Sequence, residues 1–246
     1  MPDLLPSSFE GNRGHIRYKV GIVLDVPMGF DKEYEAPFTV FKHENLNIYP
    51  ALRMPIEKQV RESFCVFPCQ TGVMYIKTSM PYCGFTPGQI IQITLDINNK
   101  SKVSVKRIKM SISRNLQYIC DHPKVKSENN SDIMCEASGA GFLAQKTETK
   151  VLSIEVPKNV CCTSSHCCRV IKWSYEVIIT FETNGMFHSN PVIKLPIFIG
   201  SMPFAFQTPI NNAPPSAPLL APPLDQPLTQ PSAPPNADLD LRKYFV

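Results

Sequence analysis

Between Gln89 and Asn98 the sequence QIIQITLDIN returns an apolar residue at every second position. Ile91, Ile93, Leu95 and Ile97 share one parity, while Ile90, Gln92, Thr94 and Asp96 share the other. A period of two is the mark of a half-buried β-strand, and a slip of one residue would bury Asp96. Helical periodicity is nearly absent from the chain. GVMYIKTSM at 72–80 reads as a strand closed by the turn-rich PYCGFTPGQ at 81–89, and strand patterns return at 142–156, ending at Pro157. RVIKWSYEVIITFET at 169–183 puts Trp173, Tyr175, Val177 and Ile179 on one face, and VIKLPIFI at 192–199 carries Pro196, which predicts an edge position. From Val103 to Ser113 the apolar parity switches from Val103 and Val105 to Ile108, Met110 and Ile112, which predicts a β-bulge near Lys106–Arg107. Seven strands at this turn spacing make an all-β chain whose residues 64–200 form an immunoglobulin-like β-sandwich.

The remaining segments behave differently. Residues 120–141 form a long polar excursion without a period and predict a loop. Residues 14–26 and 37–41 predict a hairpin and an extended exit within an N-terminal segment, 1–48, and residues 49–63 predict a linker. Two strands alone cannot bury a face, so this hairpin has to dock on the sandwich, pair with another chain or stay poorly ordered. Eleven of the 24 prolines fall in residues 201–246, the composition of a disordered, Pro-rich tail.

Charge and cysteine usage narrow the function classes. The formal net charge of +4 on 246 residues lacks the dense basic footprint of a nucleic-acid binder. The first residues, MPDLLPSSF, lack the cationic and apolar regions of a secretory signal, and no apolar run is long enough to span a membrane. Nine cysteines, an odd number, favour reduced thiols over a disulfide framework, so a soluble cytoplasmic chain is expected. No GxSxG, P-loop or HExxH is present and the five histidines are scattered, so no catalytic residue and no cofactor are assigned.

Two motifs stand out in the tail: Pro215-Ser216-Ala217-Pro218 and Pro231-Ser232-Ala233-Pro234. Two copies of P-S-A-P exceed what the proline bias alone produces, although duplication of a biased segment would also give them. The motif resembles the late-domain peptide taken by the ubiquitin-E2-variant domain of the ESCRT-I sorting complex. Prolines preset the backbone, so little ordering is left to lose when the peptide enters a groove. Pro-Pro pairs at 214–215, 222–223 and 234–235 are followed two residues on by Ala217, Asp225 and Ala237, so no PPxY exists.

Other clusters carry weaker signals. Cys161-Cys162 and Cys167-Cys168 flank His166, and thiolates beside a histidine are zinc-ligand chemistry. Adjacent Cys-Cys pairs are not the usual CxxC knuckle, so reduced loop thiols are the favoured reading and no metal is assigned. Lys100, Lys102, Lys106, Arg107 and Lys109 make a solvated outer face or a weak contact for anionic lipid headgroups. Asn99-Lys-Ser101 and Asn129-Asn-Ser131 match a glycosylation sequon that a cytosolic chain does not use. Tyr244-Phe245-Val246 has the form of a PDZ ligand.

Four strings, in order, resemble the arrestin-domain-containing proteins, the alpha-arrestins. LPSSFEGNRGHIRYKV at 5–20 is similar to the end of an arrestin N-terminal domain. CGFTPGQIIQITLDINNKSKVSVKRIKMSI at 83–112, VIKWSYEVIITF at 170–181 and LPIFIG at 195–200 are similar to strands of the C-terminal domain. The resemblance implies a nearly complete C-terminal arrestin sandwich preceded by the last strands of the N-terminal domain, in residues 1–48. It further implies a cytoplasmic adaptor in protein transport, peripheral at the plasma membrane or endosome, that binds membrane-protein cargo. A ubiquitin ligase would then be reached only indirectly. The alternative is a non-adaptor or dominant-negative chain whose partners are full-length arrestins.

Overall fold

The computed structural model describes residues 5–66, 69–120, 122, 124–164, 168–184 and 190–205. Phe9–Glu10 (β1) and His15–Ile16 (β2) form a short antiparallel pair, and Tyr18–Leu24 (β3) and Lys32–Phe38 (β4) form a hairpin. Two 3-10 turns, Leu46–Ile48 and Pro50–Arg53, lead to Ile56–Val66 (β5), Cys69–Met80 (β6) and Gly84–Phe85 (β7). Ile90–Asn99 (β8), Val105–Cys120 (β9), Lys126–Phe142 (β10), Thr147–Glu155 (β11), Ile171–Thr183 (β12) and Val192–Ile199 (β13) complete the order. The described residues contain no α-helix, and none of their helices is long and apolar enough to cross a membrane.

A five-stranded sheet in the order β10-β9-β12-β13-β7 faces a four-stranded sheet in the order β11-β8-β6-β5. The pairings are antiparallel except for β13 with β7. The alternation of β8 is the reason it sits as it does: Ile91, Ile93, Leu95 and Ile97 are buried while Asp96 faces solvent. They meet Ile108, Met110 and Ile112 of β9, Val177, Ile179 and Phe181 of β12, and Ile193 and Leu195 of β13 in one core. Each fully buried aliphatic side chain of this kind contributes about 1.5–3 kcal/mol.

The parity switch in β9 is a bulge at the expected place. Glu182 pairs with Arg107 and Thr183 with Val105, so Lys106 is the extra residue. Pro196 lies where β13 has one long neighbour, β12, because β7 pairs only with Phe198 and Ile199. The expected hairpin forms with other bounds, Tyr18–Leu24 against Lys32–Phe38, while His15–Ile16 pairs with β1, and its strands are almost wholly exposed.

Two expectations are corrected. Residues 120–141 are not a loop: most of that stretch is β10, a 17-residue strand laddered to β9 from Lys126↔Cys120 to Phe142↔Val105. β10 is an edge strand with its first half exposed on both faces, so no alternation marks it, and backbone pairing holds it. Cross-strand side chains add to this, with Ser113 Oγ 2.7 Å from Ser131 Oγ and Arg114 3.1 Å from Asp132. The stretch 49–63, expected as a linker, holds both buried Leu52 and most of β5. β5 is the outer strand of its sheet, and its polar residues face water, which hid its pattern.

Candidate functional site

The N-terminal segment is fastened to one end of the sandwich by a short series of specific contacts. Ser8 Oγ accepts from the Val40 amide and Ser7 Oγ from the Lys42 amide, so the two ends of the segment are tied together. Glu44, nearly buried, forms an ion pair with Lys42 and accepts from Tyr49 Oη, while its backbone amide donates to Ser201 Oγ. From that anchor Phe9 reaches the core edge, where its ring stacks on Trp173 with centroids 4.8 Å apart. The Arg114 guanidinium lies over the Phe9 ring as well, 5.6 Å from its centroid.

Docking of β1 and β2 makes an open cleft of about 1160 Å³. One wall is the turn Gly11–Ile16, and the others are the end of β9, the start of β10 and the entry to β12. Ile16, Tyr118, Val170 and Ile171 give it an apolar lining, and Arg13, His15, His122, Lys126 and Glu128 give it a polar one of mixed charge. Arg13 bridges to Glu128 at 2.8 Å, joining the turn to β10; both groups are more than half exposed, so the pair adds little stability. A cleft of this kind, apolar with a few polar groups of both signs, suits an extended peptide segment with apolar side chains.

The turn itself is held in shape. Glu10 takes Arg17 Nε at 2.6 Å and Nη2 at 2.9 Å, and Arg17's hydrogen bonds hold the Glu10 carboxyl below its ordinary range. A Cβ on Gly11 would stand 2.4 Å from Tyr118 Oη and 2.6 Å from Phe9 Cε1, so a side chain there has to push these rings aside.

The cysteine cluster has a structural part. The Cys162 carbonyl accepts from Trp173 Nε1 at 2.7 Å and the Cys161 carbonyl from Tyr175 Oη at 2.9 Å. Burial raises the pKa of both thiols, away from the thiolate that a metal takes. Cys168 Sγ accepts from the Ile171 amide, and His166 and Cys167 lie outside the described residues. Among the described residues no three His, Cys, Asp or Glu side chains converge to hold a metal.

The basic set is partly neutralised: Arg107 pairs with Glu182 and Lys109 with Glu136. Asn99 of the first sequon is buried and donates from Nδ2 to the carbonyls of Val103 and Leu143, a turn-building role. Pro215, Ser216, Ala217, Pro218, Pro231, Ser232, Ala233 and Pro234 lie outside the described residues, as do Tyr244, Phe245 and Val246. Sequence reading did not single out Arg13, Tyr118, His122 or Lys126, because no period links a turn to two strand ends. The only available signal was the GNRGH turn inside the first arrestin-like string.

The fold and cleft define a two-sheet, immunoglobulin-like β-sandwich with a docked N-terminal β segment. The family model described as "Arrestin (or S-antigen), C-terminal domain" matches residues 70–204, and the corresponding N-terminal domain model matches residues 1–47. The chain therefore belongs to the arrestin family, in its arrestin-domain-containing, alpha-arrestin branch. It is similar to Arrestin domain-containing protein 17 of Caenorhabditis elegans, 26% identical over 82% of this chain and 46% of that protein. Human Arrestin domain-containing protein 1 is 26% identical over 88% of this chain and 46% of its own length. Human Arrestin domain-containing protein 4 is 24% identical over 81% and 46%. The chain spans about half the length of these curated relatives.

Proposed function

We propose that this chain is a cytoplasmic adaptor in protein transport, peripheral at the plasma membrane or endosome, whose sandwich engages membrane-protein cargo and whose tail passes it to endosomal sorting. The observation that carries this reading is the cleft between the β1–β2 turn and the ends of β9 and β12, in a chain of the arrestin family. It accepts a cytosolic segment of cargo as an extended peptide, with apolar side chains on Ile16, Tyr118 and Ile171 and polar groups toward the mixed-charge rim.

The hand-over runs through the two P-S-A-P motifs and the ubiquitin-E2-variant domain of ESCRT-I. Proline and alanine fill the groove of that domain, while Ser216 and Ser232 supply small polar contacts. Phosphorylation of either serine adds bulk and charge and weakens the contact. With no PPxY in the tail, a ubiquitin ligase is recruited through a partner.

The test is isothermal titration of the whole chain with the ubiquitin-E2-variant domain. Binding in the micromolar range that disappears on Pro218→Ala with Pro234→Ala supports the reading. Unchanged affinity in that double variant removes the tail from the mechanism.

A further inference from the structure

We propose that β11 is a strand-addition edge, which takes an extended peptide segment of a partner protein as an antiparallel fifth strand of the four-stranded sheet. At the two ends of its ladder with β8, the Val156 amide donates to the Gln89 carbonyl at 2.9 Å and the Asn99 amide to the Lys146 carbonyl at 3.0 Å. Both pairs continue the register that runs from Thr147↔Asn98 to Glu155↔Ile90. Hydrogen-bonded pairs alternate along an antiparallel ladder, so the even-numbered residues of β11 turn their backbone groups to β8. Thr147, Thr149, Val151, Ser153 and Glu155 aim theirs the other way, along the free edge.

Among the described residues the two sheets end in four edge strands, β5, β7, β10 and β11, and three of these are blunted. β7 is two residues long, β10 shifts register between Ile133 and Cys135, and β5 shifts between Ser63 and Cys65. β11 runs nine residues with no shift, no proline and no glycine. It lies within the stretch matched by the C-terminal domain model, and the N-terminal segment docks away from it, on β9, β10 and β12.

The side chains along this edge select the occupant. Glu148, Lys150, Leu152 and Ile154 form the row toward the core, and Thr147, Thr149, Val151 and Ser153 form the outer row. Beside Leu152 a depression of about 200 Å³ opens between β11 and β10, lined by Met110, Ala137 and Gly139. A residue added opposite Leu152 turns its side chain toward this depression, so it is apolar. Lys146 and Lys150 share the carboxylate of Glu148, at 3.3 and 3.4 Å, which leaves a surplus positive charge. The residue opposite Lys150, two further along the added strand, is therefore acidic. The one between them lies beside Val151 on the outer row and is β-branched.

A second copy of β11 fits this edge poorly. Antiparallel self-pairing centred on Val151 or Leu152 sets Lys150 against Leu152 or Ile154. Centred on Thr149, it sets Lys150 against Glu148 but Leu152 against Lys146. Residues 201–246, with eleven prolines, lack the run of amides that a ladder needs.

The probe is the peptide Ser-Val-Thr-Leu-Val-Glu-Thr-Thr-Lys, whose leucine and glutamate take the places opposite Leu152 and Lys150. It is titrated into the isotope-labelled whole chain and followed by amide exchange. Bound peptide is expected to slow exchange at Thr149, Val151 and Ser153, whereas Lys150 and Leu152 are protected before it is added. Replacing the peptide's glutamate by lysine is expected to weaken binding about fivefold, and Lys150→Glu in the protein to reverse that preference. Val151→Pro removes an outward amide, at a position where an edge strand accommodates proline, and is expected to abolish binding. Trp173 emission reports that each variant is folded, and Lys150→Glu carries the test alone if the proline disturbs β11. No binding, or binding that protects the cleft lining instead of β11, overturns the proposal. So does a preference for the glutamate peptide that survives Lys150→Glu. Slow exchange at Thr149 and Val151 without peptide, together with a doubled mass, assigns the edge to a second copy and overturns it as well.

Discussion

Phe9 lies nearly parallel to Trp173, with ring planes 15° apart and centroids 4.8 Å apart, and this contact helps to carry the N-terminal segment into the core of the sandwich. Phe9 is 4% exposed and Trp173 1%, so the pair is sealed from water. Phe9→Ala leaves a ring-sized gap against Trp173 and Arg114 and is expected to cost about 3 kcal/mol. Urea unfolding followed by Trp173 emission checks both the loss and the altered emission of the exposed indole in the native state.

A second contact of the same economy sits at the opposite end of β9. A Cβ on Gly141 would stand 1.9 Å from the Val105 carbonyl oxygen and 2.5 Å from the Lys106 carbonyl carbon, beside the bulge. Both are backbone atoms, so no side chain can swing away. Gly141→Ala is expected to lose about 3 kcal/mol by forcing the bulge open, whereas Gly21→Ala, with nothing within 4 Å, is the control. Thermal melts of the two variants give the comparison.

Much of this architecture is legible in the residues. Strands buried on one face write it as alternation, so β8 and the inner face of β12 follow from Ile91 to Ile97 and Trp173 to Ile179. Even the bulge at Lys106 leaves a parity switch. β10 leaves none, because an edge strand is held by its backbone ladder and leaves Glu128, Asn129 and Asn130 in water. The cleft is still less visible. It joins Arg13, Tyr118 and Ile171, which are far apart along the chain and brought together only when Phe9 docks.

Asn99 shows how a motif can mislead. Its side chain occupies the turn after β8, donating to Val103 O at 2.8 Å and Leu143 O at 3.1 Å and accepting from Ser101 Oγ at 2.6 Å. Asn99→Ala removes these three hydrogen bonds, two of them buried, and a loss of about 2 kcal/mol is expected. Amide exchange at Ser101 and Val103 should accelerate in the variant, since both amides are hydrogen-bonded within this turn.

The thiols should separate by burial. Cys83 is fully buried with Sγ 3.5 Å from the Leu52 carbonyl, and burial pushes its pKa up to about 12. Cys120 is exposed at the rim of the cleft. Iodoacetamide at neutral pH is expected to alkylate Cys120 in the native chain and Cys83 only after unfolding, because the thiolate is the reactive form. Peptide mass spectrometry along a time course checks the order, and equal rates would remove Cys83 from the closed core.

The pH response of the cleft wall follows from Glu10 and Arg17. Hydrogen bonds from Arg17 hold the folded Glu10 carboxyl below the ordinary 4.5. The shift is downward, so the pair's contribution is present above the unfolded carboxyl's pKa and is lost as pH falls through the lower folded value. Both side chains are about two-thirds exposed, so the effect on global stability is small and belongs to the turn. A carbon-detected NMR titration is expected to put the Glu10 midpoint below 4.5, and Arg17→Gln should return it to the ordinary range. With the pair broken, the turn that carries Arg13 and His15 loses its brace. Any peptide held in the cleft should then bind more weakly at neutral pH in Arg17→Gln, even though Arg17 lies outside the cleft lining.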